Sequence, residues 1–192
     1  MIKAADALQK LLDGNNRFCQ GDSQRTHLDG KRRSELLTGE NPFAVIVCCS
    51  DSRVPPELIF DQGLGDLFVV RNAGQIVDAA ALGSIEYAVA KLGVPLIFVL
   101  GHGDCGAVKA AVAGAKFPGH LNSVIAEIEP AVVQARAEQG DLMDNATAKN
   151  VDLIIEKISQ SEPILKDAIA GGQVQITGGV YHLASGQVKL RP

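Results

Sequence analysis

Two short segments, Cys49-Ser-Asp-Ser-Arg53 and His102-Gly-Asp-Cys105, carry the residues best equipped for chemistry: two thiols, an imidazole, a carboxylate and a guanidinium. Each directly follows an apolar, β-branched run, Phe43–Cys48 and Val94–Leu100. If those runs are strands of an α/β sheet, Cys49, His102 and Cys105 emerge in the crevice where such folds place their ligands. Two thiolates and one imidazole make a three-ligand zinc set, and a catalytic zinc keeps its fourth position for water or substrate. The alternatives are a closed structural zinc, normally completed by a fourth Cys or His in paired knuckles, or thiols that are simply buried. Neither remaining cysteine suits a fourth ligand. Cys19 falls on the stripe Leu8, Leu11, Leu12, Asn15, Cys19 and reads as a small buried hydrophobe. Cys48 precedes Cys49 on a strand, so it points to the opposite face and packs beneath the site.

Asp51 and Arg53 set what such a centre could do. A cation beside a carboxylate keeps it ionised, and an ionised carboxylate only accepts hydrogen bonds. A zinc-bound hydroxide would therefore direct its proton to Asp51 and turn a lone pair toward substrate. The plainer reading is a loop salt bridge; the neighbouring metal-type cysteine favours the functional one. Gly101-His-Gly103-Asp-Cys-Gly106 also matches G-x-G-x-x-G after a strand. A dinucleotide site, however, needs an acidic residue ending the next strand about 20 positions on, and 121–129 reads as helix. The glycines are better explained as letting His102 and Cys105 approach one ion in a tight loop.

These residues need a scaffold, and the rest of the chain supplies one. The length of 192 residues favours a single domain spanning 1–192 with a sizeable core. The net charge of −4 with dispersed basic residues gives no nucleic-acid footprint, and Lys31-Arg32-Arg33 reads as a solvated helix face. No apolar run reaches the ~20 residues of a membrane span, and the start reads as an amphipathic helix, not a secretion signal. Four cysteines without such a signal point to a reducing, cytoplasmic setting.

Along the chain, helical spacing predicts a helix over 3–19, a polar stretch over 20–33 and a short helix near 31–38. Strands are expected at 43–49, 67–71, 94–100 and 173–180, with a short partner at 187–190 after a Ser185-Gly186 turn. Pro55 and Pro56 mark one helix start. Asp78 caps a helix running to Lys91–Leu92 before Gly93, and another covers 106–113. Two or three more occupy 117–170, broken near Pro118, Gly140 and Pro163. The alternation implies an α/β fold: a mainly parallel central sheet of about four strands plus an antiparallel edge strand, flanked by helices. The N-terminal helix is expected to pack on a partner subunit.

Cys49-x-Asp51-x-Arg53 with His102-x-x-Cys105-Gly106 resembles the β-class carbonic anhydrases. So do the helix end Gly14-Asn-Asn-Arg-Phe18, the block Asn41-Pro42-Phe43, the run Asp61–Gly74, and the tail Gly179-Val-Tyr181 with Ser185-Gly186. The resemblance implies one zinc per subunit on Cys49, His102 and Cys105, an orienting pair Asp51–Arg53, and a Gly106 N–H that donates to bicarbonate. Asp51 is implied as a possible fourth zinc ligand in a closed state. Phe68 and Tyr87 match positions lining the carbon dioxide pocket of plant-like members, partly across a dimer interface, and Ala73 stands where those members tend to have Val. Glu40 replaces a pocket Gln. Ile46 replaces the Trp of members with a regulatory bicarbonate site, although Arg71 and Tyr181 match its other parts.

The activity implied is reversible hydration of carbon dioxide to bicarbonate and a proton by a homodimer or homotetramer, with neither nucleic acid nor membrane as partner. Two rivals remain. One is a carbonyl sulfide or carbon disulfide hydrolase on the same scaffold. The other is a non-catalytic zinc or redox regulator in which Cys48–Cys49 respond to oxidant. No histidine is clearly placed to shuttle protons; His27 and His120 read as solvated loop residues.

Overall fold

The computed structural model describes residues 2–192. Five strands form one sheet: β1 (Ala44–Cys49), β2 (Leu67–Asn72), β3 (Leu96–His102), β4 (Gln175–Tyr181) and β5 (Val188–Leu190), in the order β2-β1-β3-β4-β5. The first four are parallel, and β5 runs antiparallel beside β4 at the edge. β1 and β3 are buried along their whole length, which is why both read as continuous apolar runs and not as alternating ones. The period of two survives in their packing. Ala44, Ile46 and Cys48 join a core with Leu11, Phe60 and Phe98, while Val45 and Val47 join a second core with Ile85, Ile154 and Leu165.

The helices are α1 (Ala4–Gln20), α2 (Gly30–Glu35), α3 (Pro56–Ile59), α4 (Ala79–Ala90), α5 (Gly106–Val112), α6 (Leu121–Ala135), α7 (Leu142–Ser159) and α8 (Ile164–Ala170). Their ends follow from capping chemistry. Pro56 opens α3 at a position that tolerates a missing N–H. The carboxylates of Asp78 and Asp141 accept from the N–H groups of Ala81 and Asp144 to start α4 and α7. The three-helix arrangement between 117 and 170 breaks where Pro118, Gly140 and Pro163 were expected to interrupt it.

Three expectations need correction. β3 starts at Leu96, two residues late, because Pro95 has no N–H to give a ladder and the turn through Gly93 (φ 68°) continues to it. At its other end β3 stays paired with β4 as far as His102, which is therefore the last strand residue and not a loop residue, and Gly101 lies inside the strand opposite Val180. Gly101 is small for packing, not for looping: a Cβ there would stand 2.5 Å from Val151 Cγ2. A Cβ on Gly178 of β4 would stand 2.8 Å from the other methyl, Cγ1, so α7 presses Val151 into a notch spanning two strands. Cys19 is exposed, not buried, because the stripe of α1 runs out at its last turn before Gly21 (φ 77°) ends the helix.

Asn15, on the same stripe, is buried for a polar reason. It donates to the carbonyls of Ile59 and Gly186 and accepts from the N–H of Val188, tying α1 to α3 and the C-terminal hairpin. His27 is exposed in its loop as expected, and its Nδ1 also lies 2.8 Å from the Asp66 carboxylate.

Candidate metal centre

β1 and β3 are hydrogen-bonded neighbours, with Cys48 opposite Leu100, so both strands stop at the same edge of the sheet. Cys49 ends one strand and His102 ends the other. Gly103 and Asp104 then turn the chain, Asp104 adopting φ 52°, and Cys105 caps α5. Two strand ends and a helix start thereby bring Cys49, His102 and Cys105 together, with their ligand atoms all within 4.8 Å of one another and all three residues buried.

The donor chemistry fits an ion at that point. His102 Nδ1 faces the Gly103 carbonyl at 2.9 Å, which places the proton on Nδ1 and leaves the lone pair on Nε2. Nε2 is buried with no protein partner, a costly arrangement unless something coordinates it. Cys49 is set up as a thiolate. The Cys105 thiol beside it acts most strongly; His102 and the N–H groups of Asp51 and Gly74, at 3.4 and 3.3 Å, add to it and overcome burial. Its pKa falls to about 4. Cys49 in turn, together with burial, drives the Cys105 thiol up, so the pair holds one proton that a cation would displace. Two sulfurs, one imidazole and a span of this size match tetrahedral zinc, with ligand bonds of about 2.0–2.3 Å.

Asp51 sits at the mouth. Arg53 grips it in a fork, Nε to Oδ1 at 2.9 Å and Nη2 to Oδ2 at 2.7 Å, and the Arg53 N–H adds a third bond. The Arg53 guanidinium is the main reason the Asp51 carboxyl is held down to about 2; reciprocally, Asp51 raises the Arg53 pKa. Arg53 is itself anchored on Asp104, reaching its carbonyl at 3.1 Å and its carboxylate at 3.4 Å. Asp51 Oδ2 stands 3.9 Å from His102 Nε2, beside the three ligand atoms with the fork intact. Arg71 donates to the carbonyls of Cys49 and Asp51 at 2.9 and 2.7 Å and so fastens this loop to β2.

Of the other residues singled out from the sequence, Ala73 and Gly106 are at the centre's border. Ala73 is exposed in a short 3₁₀ turn (Ala73–Gln75) whose next N–H reaches Cys49, and Gly106 is the first residue of α5. Glu40, Phe68 and Tyr87 are not brought to it within this chain. Phe68 pairs with Val45, whereas Cys49 pairs with Asn72, a separation of roughly 13 Å along the strands. Tyr87 is 51% exposed and faces the Phe68 ring at 6.3 Å. Glu40 is exposed ahead of the opposite end of β1. Cys48 lies in the core with its thiol pushed up to about 12, chiefly by burial. Sequence reasoning gave no positioning role to Arg71, Asp104, Gly74 or Asn150. For Asn150 a signal existed, a polar residue on the inward stripe Thr147, Asn150, Val151, Ile154, Ile158 of α7.

A parallel sheet with a thiolate–imidazole cradle at its carboxyl edge and a guanidinium-locked carboxylate at the opening defines an α/β metalloenzyme class. The comparisons with known proteins narrow it. A family profile described as carbonic anhydrase matches residues 44–188. "Carbonic anhydrase 2" of Mycobacterium tuberculosis H37Rv is 42% identical over 189 residues, 96% of this chain and 91% of the relative. A carbonic anhydrase of Mycolicibacterium smegmatis is 41% identical, covering 96% and 92%. Among solved structures, the β-carbonic anhydrase CcaA superposes with a TM-score of 0.76 at 28% identity, covering 96% of this chain and 95% of the other. Tetrameric β-carbonic anhydrases of Sordaria macrospora reach 0.77 at 25% identity, covering 96% of each chain. The chain belongs to the carbonic anhydrase family, in its β class.

Proposed function

We propose that the chain, as one domain, is a zinc enzyme that reversibly hydrates carbon dioxide to bicarbonate and a proton. The observation that carries this is the juxtaposition of Cys49, His102 and Cys105 with a carboxylate that Arg53 keeps from protonating. Zinc, when bound, supplies a Lewis acid that acidifies water and so provides a nucleophile near neutral pH. Cys49, His102 and Cys105 would hold it. Asp51, ionised and able only to accept, accepts a hydrogen bond from the attacking water at Oδ2 and so aims an oxygen lone pair away from itself, toward the carbon of carbon dioxide. Arg53 maintains that state by occupying both carboxylate oxygens from the far side. The Gly106 N–H, at the start of α5, donates to an oxygen of the bicarbonate formed.

The pocket is proposed to be completed by a second copy. β2 is a free edge of the sheet, and Phe68, Tyr87 and Glu40 lie too far from Cys49 to serve their own chain. The pair Phe68–Tyr87 is partly exposed and apolar, suited to lining a carbon dioxide slot in a homodimer or homotetramer. Among the described residues no helix is long and apolar enough to cross a membrane; with four free thiols, we place the enzyme in the cytoplasm. Stopped-flow carbon dioxide hydration, run with zinc-loaded and chelator-stripped protein and with carbonyl sulfide as a second substrate, tests this. Zinc-dependent hydration is expected. Sulfide release without hydration, or neither reaction, overturns it.

A further inference from the structure

We propose that Asn150, in the middle of α7, is a positioning residue for the metal centre: acting through the backbone of Gly74, it holds an N–H on the Cys49 sulfur. The inference deepens the zinc reading above and rests on it. Asn150 is 1% exposed and its Nδ2 donates to the Gly74 carbonyl at 2.9 Å. Since a carbonyl only accepts, the amide must present its nitrogen there. The N–H of the same Gly74 reaches Cys49 Sγ at 3.3 Å. The carbonyl and the N–H flank one α-carbon, at φ 65° and ψ 21°, so fixing the first constrains the second.

Gly74 needs that restraint. Glycine has the widest backbone freedom of any residue, and this one sits in a three-residue turn. Asn72 closes the turn on itself through the Ile76 carbonyl. Gln75, although 1% exposed, finds no protein partner for either side-chain polar atom and so does not anchor it. Asn150 ties the turn to a separate element, and that element is already held against the sheet by Val151 in the notch of Gly101 and Gly178. An N–H on a thiolate draws density from the sulfur and fixes its direction. Without it Cys49 becomes a stronger but less well-aimed donor.

The test uses full-length zinc-loaded and cobalt-substituted protein. Asn150→Leu and Asn150→Val each remove the donor without opening a large void, and both are expected to weaken zinc binding about tenfold in chelator competition. The thiolate-to-cobalt charge-transfer band of each is expected to move to lower energy. Thr147→Val, on the same stripe and also buried, is expected to change neither reading. Folded Asn150 variants that bind zinc within about twofold of the unaltered protein, or whose band does not move, or that behave like Thr147→Val, overturn the proposal. Should both variants fail to fold, the unaltered protein loaded with cadmium-113 still decides. Its Gly74 amide proton is expected to show coupling to the metal through the Cys49 sulfur, and no coupling overturns the proposal. Absence of stoichiometric zinc from the unaltered protein is a different failure, that of the zinc reading itself.

Discussion

Replacing Gly101 with alanine should push a ligand-bearing strand and its covering helix apart. The added Cβ would meet Val151 Cγ2 at 2.5 Å, Gln75 Nε2 at 3.3 Å and Thr147 Cγ2 at 3.7 Å. The first contact is far inside van der Waals distance and Val151 is fully buried, so backbone must move. Overpacking of this kind costs about 1–3 kcal/mol, and for a chain of this size each kcal/mol lowers Tm by roughly 2–4 °C. The expected loss is thus roughly 2–12 °C. Val151→Ala removes the offending methyls at a cost of about 2 kcal/mol in lost burial and cavity. If the clash is the cause, Gly101→Ala with Val151→Ala together should cost at least about 1 kcal/mol less than the two separately. Urea unfolding of metal-free protein at one fixed concentration measures all four corners. Additivity within about 0.5 kcal/mol would refute the reasoning, because the methyl would then be accommodated without displacing α7. Zinc affinity should fall in Gly101→Ala and recover in the pair, since His102 is the next residue on the strand.

Arg53→Ala should cut carbon dioxide turnover by about 10²–10⁴-fold; near-normal turnover in stopped flow would remove Asp51–Arg53 from the mechanism. Activity should rise with pH above neutrality, since two thiolates cancel the charge of the ion and leave it a weaker Lewis acid than three imidazoles would; a profile flat from about pH 6 to about 9 contradicts this. Asp51, depressed to about 2 by Arg53, should add stability that is complete above the ordinary carboxylate pKa of about 3.9 and is lost as pH falls toward about 2. Comparing acid unfolding of the chain with that of Asp51→Asn reads this directly: their stabilities should converge at the acid end. Stripping zinc should abolish activity and lower Tm. At a free metal concentration of about 1,000 Kd, binding contributes about 4 kcal/mol, and each kcal/mol shifts Tm by roughly 2–4 °C. A metal-free protein with undiminished Tm counters that.

How much was legible depended on whether a feature was local. The three candidate metal-binding residues and the Asp51–Arg53 pair sit within two short segments, and apolar runs place both at strand ends, so residue type and spacing sufficed to expect their meeting. The mixed sheet followed from alternating strands and helices. What failed was decided elsewhere in space. The start of β3 depends on Pro95 lacking a donor. Gly101 looks like part of a loop motif until the methyls of Val151, fifty residues later, are seen to need its missing side chain. Cys19 shares the period of α1 but falls on its last turn, where the sulfur is left exposed. Asn15 and Asn150 interrupt apolar stripes with amides whose partners are backbone carbonyls far along the chain. Such interruptions can be seen in a sequence, but their partners cannot be named from it. Glu40 and Phe68 stand at the other end of β1 and β2 from Cys49, and Tyr87 faces Phe68, so one chain does not bring them to the centre.

The outward position of Cys19 gives the molecule a ready attachment point. Cys48, Cys49 and Cys105 are all enclosed, so a maleimide dye offered to the native fold should land on the last turn of α1 alone. If copies of the chain meet along this helix, burial of that sulfur would slow the labelling, so the rate of dye uptake reports on such a contact.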